Sequence, residues 1–257
     1  MSRRANAYVV MVLLGLGSAL LIPQFSWASS GGAGLGGGGT PRVASPAPST
    51  PSSTGVVQKA NAAVSTSGNG ISFSTRESAM LRRGLHFTGT VPAGDAGKVV
   101  ELERRGQQTG NAWAPTAHGT VASDGSFSAY WPANHIGQFA VRAVIEDRAG
   151  SARASAPSPS VTTIVFRPSI ATWYGDGSWG SKTACGVTLK RSTLGTANRT
   201  LPCGTRVAVY YGGKMIVVPV IDRGPYANHA DWDLTQATSQ KLGTPGIAHI
   251  GATTVPK

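Results

Sequence analysis

From residue 70 onward the apolar residues fall in short alternating runs, and this segmentation leaves only β architectures open. "ISFST", "LHFTGTV", "KVVELER", "HGTVAS", "SFSAYW", "QFAVRAVIE" and "VTTIVF" are each strand-length, separated by turn signals such as "PAGDAGK" and "SDGS". A helical bundle or an α/β fold needs longer stretches with a 3.6-residue period. One segment, "DLTQATSQKLG", has that character. Its marks are Asp233 as N-cap, Gln236 three residues on as in a capping box, Leu234, Ala237 and Leu242 on the buried side, and Gly243 as the stop.

The runs between residues 70 and 166 predict an immunoglobulin-like β-sandwich. The segment has no cysteine, so the pattern alone carries the assignment. Trp113, Trp131 and Tyr130 are expected as core or strand-face aromatics, and His86, His118 and His135 are scattered without a partner set. The domain reads as a spacer or a binding module. Residues 167–257 are denser in glycine and turns. "RVAVYYGGKMIVVPVID" reads as two strands around Gly212-Gly213, which supply the positive φ of a tight hairpin, and "IAHIGATTV" reads as a closing strand. Strands, one short helix and little length point to a small closed barrel, so the chain is all-β.

Ahead of both domains, Arg3 and Arg4, an apolar run over 7–22 and the small-x-small Ser26-Trp27-Ala28 mark residues 1–28 as a secretory signal. The run is 16 residues, shorter than the roughly 20 that span a bilayer. No stable membrane span is expected after cleavage, although retention as an anchor stays open. Residues 29–69, rich in Gly, Ser, Pro, Thr and Ala, read as a disordered linker, with a mean span of roughly 35 Å. The expectation is a secreted, cell-wall-associated monomer.

The formal net charge is +12, and residues 167–257 carry ten Lys or Arg against four Asp, a net of +6. For an exported chain this favours envelope polymers and acidic glycans over nucleic acid, though basic charge also serves solubility alone. Cys185 and Cys203 are the two cysteines. An isolated pair in an exported protein is expected to form a disulfide. No further ligands with metal spacing lie nearby, and no phosphate-cradling loop or Ser-His-Asp set is visible, so neither a metal nor a cofactor is expected.

Four motifs in the C-terminal domain then narrow the reading: "ATWYGDGSWGSKTACG" (171–186), "TLGTANRTLPCGTRVAV" (193–209), "VIDRGPY" (220–226) and "WDLTQATSQKLG" (232–243). In this order they resemble the double-psi β-barrel domain of the rare lipoprotein A (RlpA) family over about residues 170–255. The resemblance implies a six-stranded double-psi barrel and an exported peptidoglycan lytic transglycosylase. More distantly the barrel is similar to expansins and barwin-like proteins, which bind or loosen wall polysaccharide.

The chemistry can be weighed from the residues themselves. Glycosidic cleavage needs a proton donor at the leaving oxygen, and a hydrolase adds a second carboxylate. A lytic transglycosylase uses the sugar's own 6-hydroxyl as nucleophile, so one acid/base carboxylate serves. The C-terminal domain has four acids, Asp176, Asp222, Asp231 and Asp233. Asp222 ends the apolar strand "IVVPVI" before Gly224-Pro225 and matches the aspartate to which the family assigns the acid/base role; turn-capping is the competing reading. Asp233 matches the important aspartate of the expansin-like relatives and is the secondary candidate, with an N-cap role competing. Asp231 and Asp176 are expected as surface or rim acids.

Asn198, in "TANRTLPCGT", stands where the family typically has a histidine. Asparagine offers a donor and an acceptor but exchanges no proton near neutral pH. His229 is either a substitute or a solvated loop residue, and His249 is expected to be packed. Trp173, Tyr174, Trp179, Tyr226 and Trp232 are candidate sugar platforms, Trp173 and Tyr174 equally being candidates for the core. Arg223 and Lys182 are candidate partners for substrate carboxylates. Two main readings follow: a lytic transglycosylase with Asp222 as acid/base, and a non-catalytic, expansin-like wall-binding module using the same groove. Structural or adhesive use of both domains is the third.

Overall fold

The computed structural model describes residues 54–150, 156–227 and 229–256. The signal reading of 1–28 lies outside these residues. In chain order the first strands are β1 (Val57–Lys59), β2 (Ala63–Gly68), β3 (Ile71–Arg76), β4 (Ser78–Met80), β5 (Leu85–Thr90), β6 (Val99–Arg105), β7 (Ala114–Thr120), β8 (Ser126–Trp131) and β9 (Gly137–Glu146). There follow β10 (Val161–Tyr174), β11 (Thr196–Ala197), β12 (Arg206–Tyr211), β13 (Lys214–Asp222), β14 (Trp232–Thr235), the helix α1 (Gln236–Leu242) and β15 (Ala248–Thr254).

The N-terminal domain packs two sheets face to face. One runs β2-β3-β5-β8; the other is built from β4, the first half of β10, β9, β6 and β7. Alternation fixes which side chains meet between them: in β3, Ile71, Phe73 and Thr75 are buried while Ser72 and Ser74 point away. Phe73, Phe87, Phe127 and Trp131 from the first sheet meet Leu102, Phe139, Val141, Ile145 and Val165 from the second in one core. Each large apolar side chain enclosed this way stabilises the fold by about 1.5–3 kcal/mol. Trp131 is a core residue whose Nε1 donates to Asn134 Oδ1 at 3.0 Å, whereas Tyr130 beside it is 51% exposed on the outer face.

β10 belongs to both domains. Val161–Val165 pair with β9, and Arg167–Ala171 pair with β15, so one strand passes from sandwich to barrel without a linker. The barrel closes through β10-β15-β12-β13-β11-β14 and back to β10. β10–β14 and β11–β13 are parallel pairs; the other neighbours are antiparallel. Val207, Val209, Ile216, Val218, Val220, Leu234 and Ile250 fill its interior. Gly212 and Gly213 turn the β12–β13 hairpin with φ of 55° and 79°, the doubly positive geometry that their lack of a Cβ permits. Cys185 and Cys203 are joined, with Cα atoms 5.7 Å apart.

Composition misplaced part of the N-terminal segment. Residues 57–59 and 63–68, assigned to the linker, form strands: β1 adds to β13 through Val57↔Ile216 and Lys59↔Lys214, and β2 pairs all along β3. Ala60 then packs with Phe166, Met215, Val217 and Val255 against the barrel's outer wall. Residues 29–53 of the linker lie outside the described residues. The helix boundary also differs. Thr235, not Asp233, caps α1, its hydroxyl accepting from Thr238 N, and Gly243 closes the helix with φ of 78°. Asp233 is held in β14 by its parallel partner Thr172, an interaction between distant segments that local capping rules do not see.

Candidate active site

Two-residue alternation puts Thr172 and Tyr174 of β10 on one face of the parallel β10–β14 pair, with Asp233 in register with Thr172. Thr172 Oγ1 donates to Asp233 Oδ1 at 2.7 Å. Burial pushes the Asp233 carboxyl above its ordinary value, and the charge of Asp222 adds to the rise while the Thr172 hydrogen bond opposes it. Asp222 comes from the end of β13, where Ala197 of β11 pairs with it. Its Oδ1 accepts from Ala184 N at 2.9 Å and from its neighbour Arg223 N at 2.8 Å. Tyr174 joins the two carboxylates. Its hydroxyl is buried and completes no hydrogen bond of good geometry among the described residues. It still lies near enough to both acids that burial, then the charges of Asp222 and Asp233, raise its pKa.

The loops around this cluster are tied by side chains that the sequence alone presents as candidate ligand groups. The 181–186 loop lies over Asp222, with Cys185 N donating to Ile221 O at 3.3 Å and its sulfur bonded to Cys203. Arg223, expected to meet substrate carboxylates, instead donates to Leu201 O at 3.0 Å and lies 3.5 Å from Asn198 O and Cys203 Sγ. Arg199 answers from the opposite loop, donating to Pro225 O at 2.8 Å and Ala230 O at 3.0 Å. The two arginines therefore lace the loops together through backbone carbonyls. Asn198 is part of the same frame: its Oδ1 accepts from Leu201 N at 2.9 Å and Thr200 N at 3.1 Å, and its own N–H donates to Asp222 O at 3.2 Å.

Other expectations also change. Trp232 is not a platform; its indole is 8% exposed, inside the barrel core. Trp173 packs against that core from the partly buried side. Tyr226 is 80% exposed, and Trp179 is half-buried with the Arg191 guanidinium 5.3 Å from its ring. Trp179 also lies so close over Gly175 that a Cβ there has no room, and Gly175 has φ of 147° besides. Asp231 is a structural clamp and not a rim acid: Oδ2 accepts from Ile170 N at 2.9 Å while its own N–H donates to Ile170 O at 2.8 Å. His249 is exposed, not packed, and His229 is exposed with φ of 51°. Lys182 and Asp176 are exposed. Among the described residues no group of His, Cys, Asp or Glu is arranged to hold a metal. Thr172 and Arg199 were not singled out in the sequence; the two-residue spacing from Tyr174 was the available signal for the first, and nothing local pointed to the second.

The closed order of six strands, with two parallel pairs and the acid cluster at their ends, sets the frame for comparison with known proteins. Residues 169–256 match the family model described as lytic transglycolase. The barrel is thus similar to the double-psi β-barrel domain of RlpA proteins. The probable endolytic peptidoglycan transglycosylase RlpA of Synechocystis sp. is 34% identical over 103 residues, which is 38% of this chain and 32% of that protein. The corresponding protein of Aquifex aeolicus is 40% identical over 75 residues, 28% of this chain and 33% of the relative. The endolytic peptidoglycan transglycosylase RlpA of Campylobacter jejuni is 36% identical over 75 residues, 28% of this chain and 27% of the relative. The chain thus spans about a third of the length of the curated relatives it matches. Among solved structures, the Streptomyces papain inhibitor (SPI) is 30% identical with a TM-score of 0.29, covering 35% of this chain and 93% of that one.

Proposed function

We propose that this chain is an exported lytic transglycosylase that cuts peptidoglycan glycan strands at the Asp222–Tyr174–Asp233 cluster of its RlpA-like barrel. The observation that carries this reading is the unlike pair of half-buried carboxylates, Asp233 hydrogen-bonded by the Thr172 hydroxyl with its pKa raised by burial, and Asp222 anchored by backbone N–H groups. A general acid has to carry its proton when the substrate arrives, and burial beside a second carboxylate favours that state for Asp233. Asp233 donates its proton to the glycosidic oxygen as the C1–O bond breaks. The substrate's 6-hydroxyl oxygen bonds to C1, closing a 1,6-anhydro ring, and its proton passes to Asp222. A proton exchanged between the acids or with water then restores both. Water is not consumed, so the missing titratable group at Asn198 removes no reactant. Asn198 positions: it caps the 198–201 loop and binds the Asp222 backbone. This assignment refines the single acid/base role expected for Asp222, because the two acids have different environments.

Tyr174 brings a buried hydroxyl beside both acids, where it can hydrogen-bond a sugar oxygen. Exposed Tyr226 and half-buried Trp179 are the remaining platform candidates. The test is release of soluble fragments from insoluble, stem-peptide-free peptidoglycan by the full chain, with Asp222→Asn and Asp233→Asn alongside. Release that each substitution abolishes supports the proposal. Retention on the pellet without release by any form favours the non-catalytic wall-binding reading, which a non-titrating Asn198 at the family's histidine position also suits.

A further inference from the structure

We propose that the N-terminal domain carries a second glycan site, specific for sugars bearing carboxylates, at the barrel-facing end of the β2-β3-β5-β8 sheet. The site goes beyond the barrel's reaction and does not depend on it. Its first element is an aromatic platform on the outer face. His86 and Tyr130 stand opposite one another in the β5–β8 register, with ring centroids 4.8 Å apart and planes tilted by 49°. The Tyr130 ring lies directly against Gly84, in space that any Cβ would occupy, so the backbone is shaped to seat it. Half of the tyrosine nevertheless remains open to solvent, at 51% exposure. A ring held from below and open above suits the C–H face of a pyranose.

The second element is positive charge next to that ring. A cleft where the sandwich meets the barrel is lined by Arg76, Arg83, Gly84 and Ser78, together with Phe166 and Tyr210 from the barrel side. Gly84 therefore belongs both to the cleft and to the seat of Tyr130. Arg76 ends β3, and Thr75 before it donates from Oγ1 to His86 O at 2.8 Å, which draws this strand end onto the platform row. Arg76 and Arg83 are exposed, and neither guanidinium has a hydrogen-bond or ion-pair partner among the described residues. Glu77, next to Arg76, is half-buried and forms no ion pair with either. Arg82, between Leu81 and Arg83, is exposed too and holds φ of 65°, a conformation that costs a non-glycine residue energy. Elsewhere in this domain arginines are engaged: Arg142 pairs with Glu103 at 2.7 Å, and Arg104 donates to Thr116 Oγ1 at 2.9 Å.

A planar guanidinium with free N–H donors binds a carboxylate in a two-pronged fashion. A ring on Tyr130 with its carboxylate over the adjacent cleft meets both elements at once. The Ser and Thr hydroxyls on the rest of this face are partly mutually bonded, as Ser72 to Thr90 at 2.8 Å, and offer a polar track along which a chain can continue.

The test uses the full chain and defined probes: an oligogalacturonate, an uncharged dextran oligomer and inorganic polyphosphate, with binding followed by calorimetry. Oligogalacturonate should bind and dextran should not. Tyr130→Ala and the pair Arg76→Gln with Arg83→Gln should each weaken it by about tenfold or more. Tyr130→Phe, which keeps the ring, should bind within about twofold of the parent, and unchanged melting temperatures identify the losses as local. Asp222→Asn should bind like the parent, which separates this site from the barrel's. Absence of oligogalacturonate binding overturns the proposal. So does binding that Tyr130→Ala leaves intact, or polyphosphate binding of equal strength, since either reduces the site to a basic patch.

Discussion

The two domains are both all-β and share a strand, yet they treat their polar side chains in opposite ways. Around the barrel's acid cluster almost every charged or amide group near the surface is bound to backbone: Arg199, Arg223, Asn198 and Asp231 all hold loops or strands in place. Within that frame sits the Asp222–Tyr174–Asp233 set, crowded and partly dehydrated. In the sandwich Arg142 is tied to Glu103, while Arg76, Arg83 and the open face of Tyr130 are left facing solvent. Residue type alone therefore does not mark a ligand group. Arg223, read as a substrate partner in the barrel, is architectural, whereas Arg76 and Arg83, passed over in the sandwich, are free.

The largest expected effect breaks the barrel's side of that contrast. Asp222→Asn and Asp233→Asn should each reduce fragment release by roughly a hundredfold to ten-thousandfold, read as soluble glycan over time, with neither variant less stable than the parent. If either variant retains parental rates, the cluster is not the reacting set. Next in size, replacing Cys185 and Cys203 together by serine should cost about 3 kcal/mol through the loosened unfolded chain, measured by denaturant titration. Since the bridge holds the loop that donates Ala184 N–H to Asp222, activity should fall further than stability alone explains. Asp231→Ala strips Ile170 N–H of its acceptor and should destabilise by about 1–3 kcal/mol. Equal stability would mean that this clamp is replaceable by water.

Smaller effects sharpen the comparison. The raised pKa of Asp233 means that the folded state holds this proton more tightly than the unfolded chain does. Its contribution is therefore fully favourable below the ordinary aspartate range and is lost as pH rises through the raised value. Asp233→Asn should stabilise the fold relative to the parent, with a gain that grows across that window and levels off above it; a gain that is flat with pH contradicts the burial argument. Activity of the parent should fall over the same upper limb as the acid loses its proton. Least of all, Asn198→Ala should cost about 1 kcal/mol as a lost turn cap, with activity reduced through loop position.

Much of this was legible because it is written locally. The Gly212-Gly213 hairpin, the Gly243 stop, the single cysteine pair and the positions of Asp222 and Asp233 follow from short motifs whose chemistry is self-contained. What was not legible depends on pairings between distant segments. The N-cap pattern around Asp233 gave way because β14 lies parallel to β10, some 60 residues earlier in register with Thr172. Trp232 looked like a platform until the same pairing turned it inward opposite Ala171. The linker composition of residues 57–59 concealed a strand because three residues on the edge of β13 need no hydrophobic signature of their own. Arg223 and Arg76 could not be told apart from sequence, since what separates them is whether a carbonyl lies within reach.

The central claim is that the barrel's two unlike carboxylates cut glycan by internal transfer. Digestion of stem-peptide-free peptidoglycan in ¹⁸O-water, with products read by mass spectrometry, tests it most directly. Soluble fragments ending in 1,6-anhydro-muramic acid with no ¹⁸O are expected, lost when Asp233 is replaced by Asn. Fragments with a labelled reducing end, or a chain that stays on the wall and releases nothing, would contradict it.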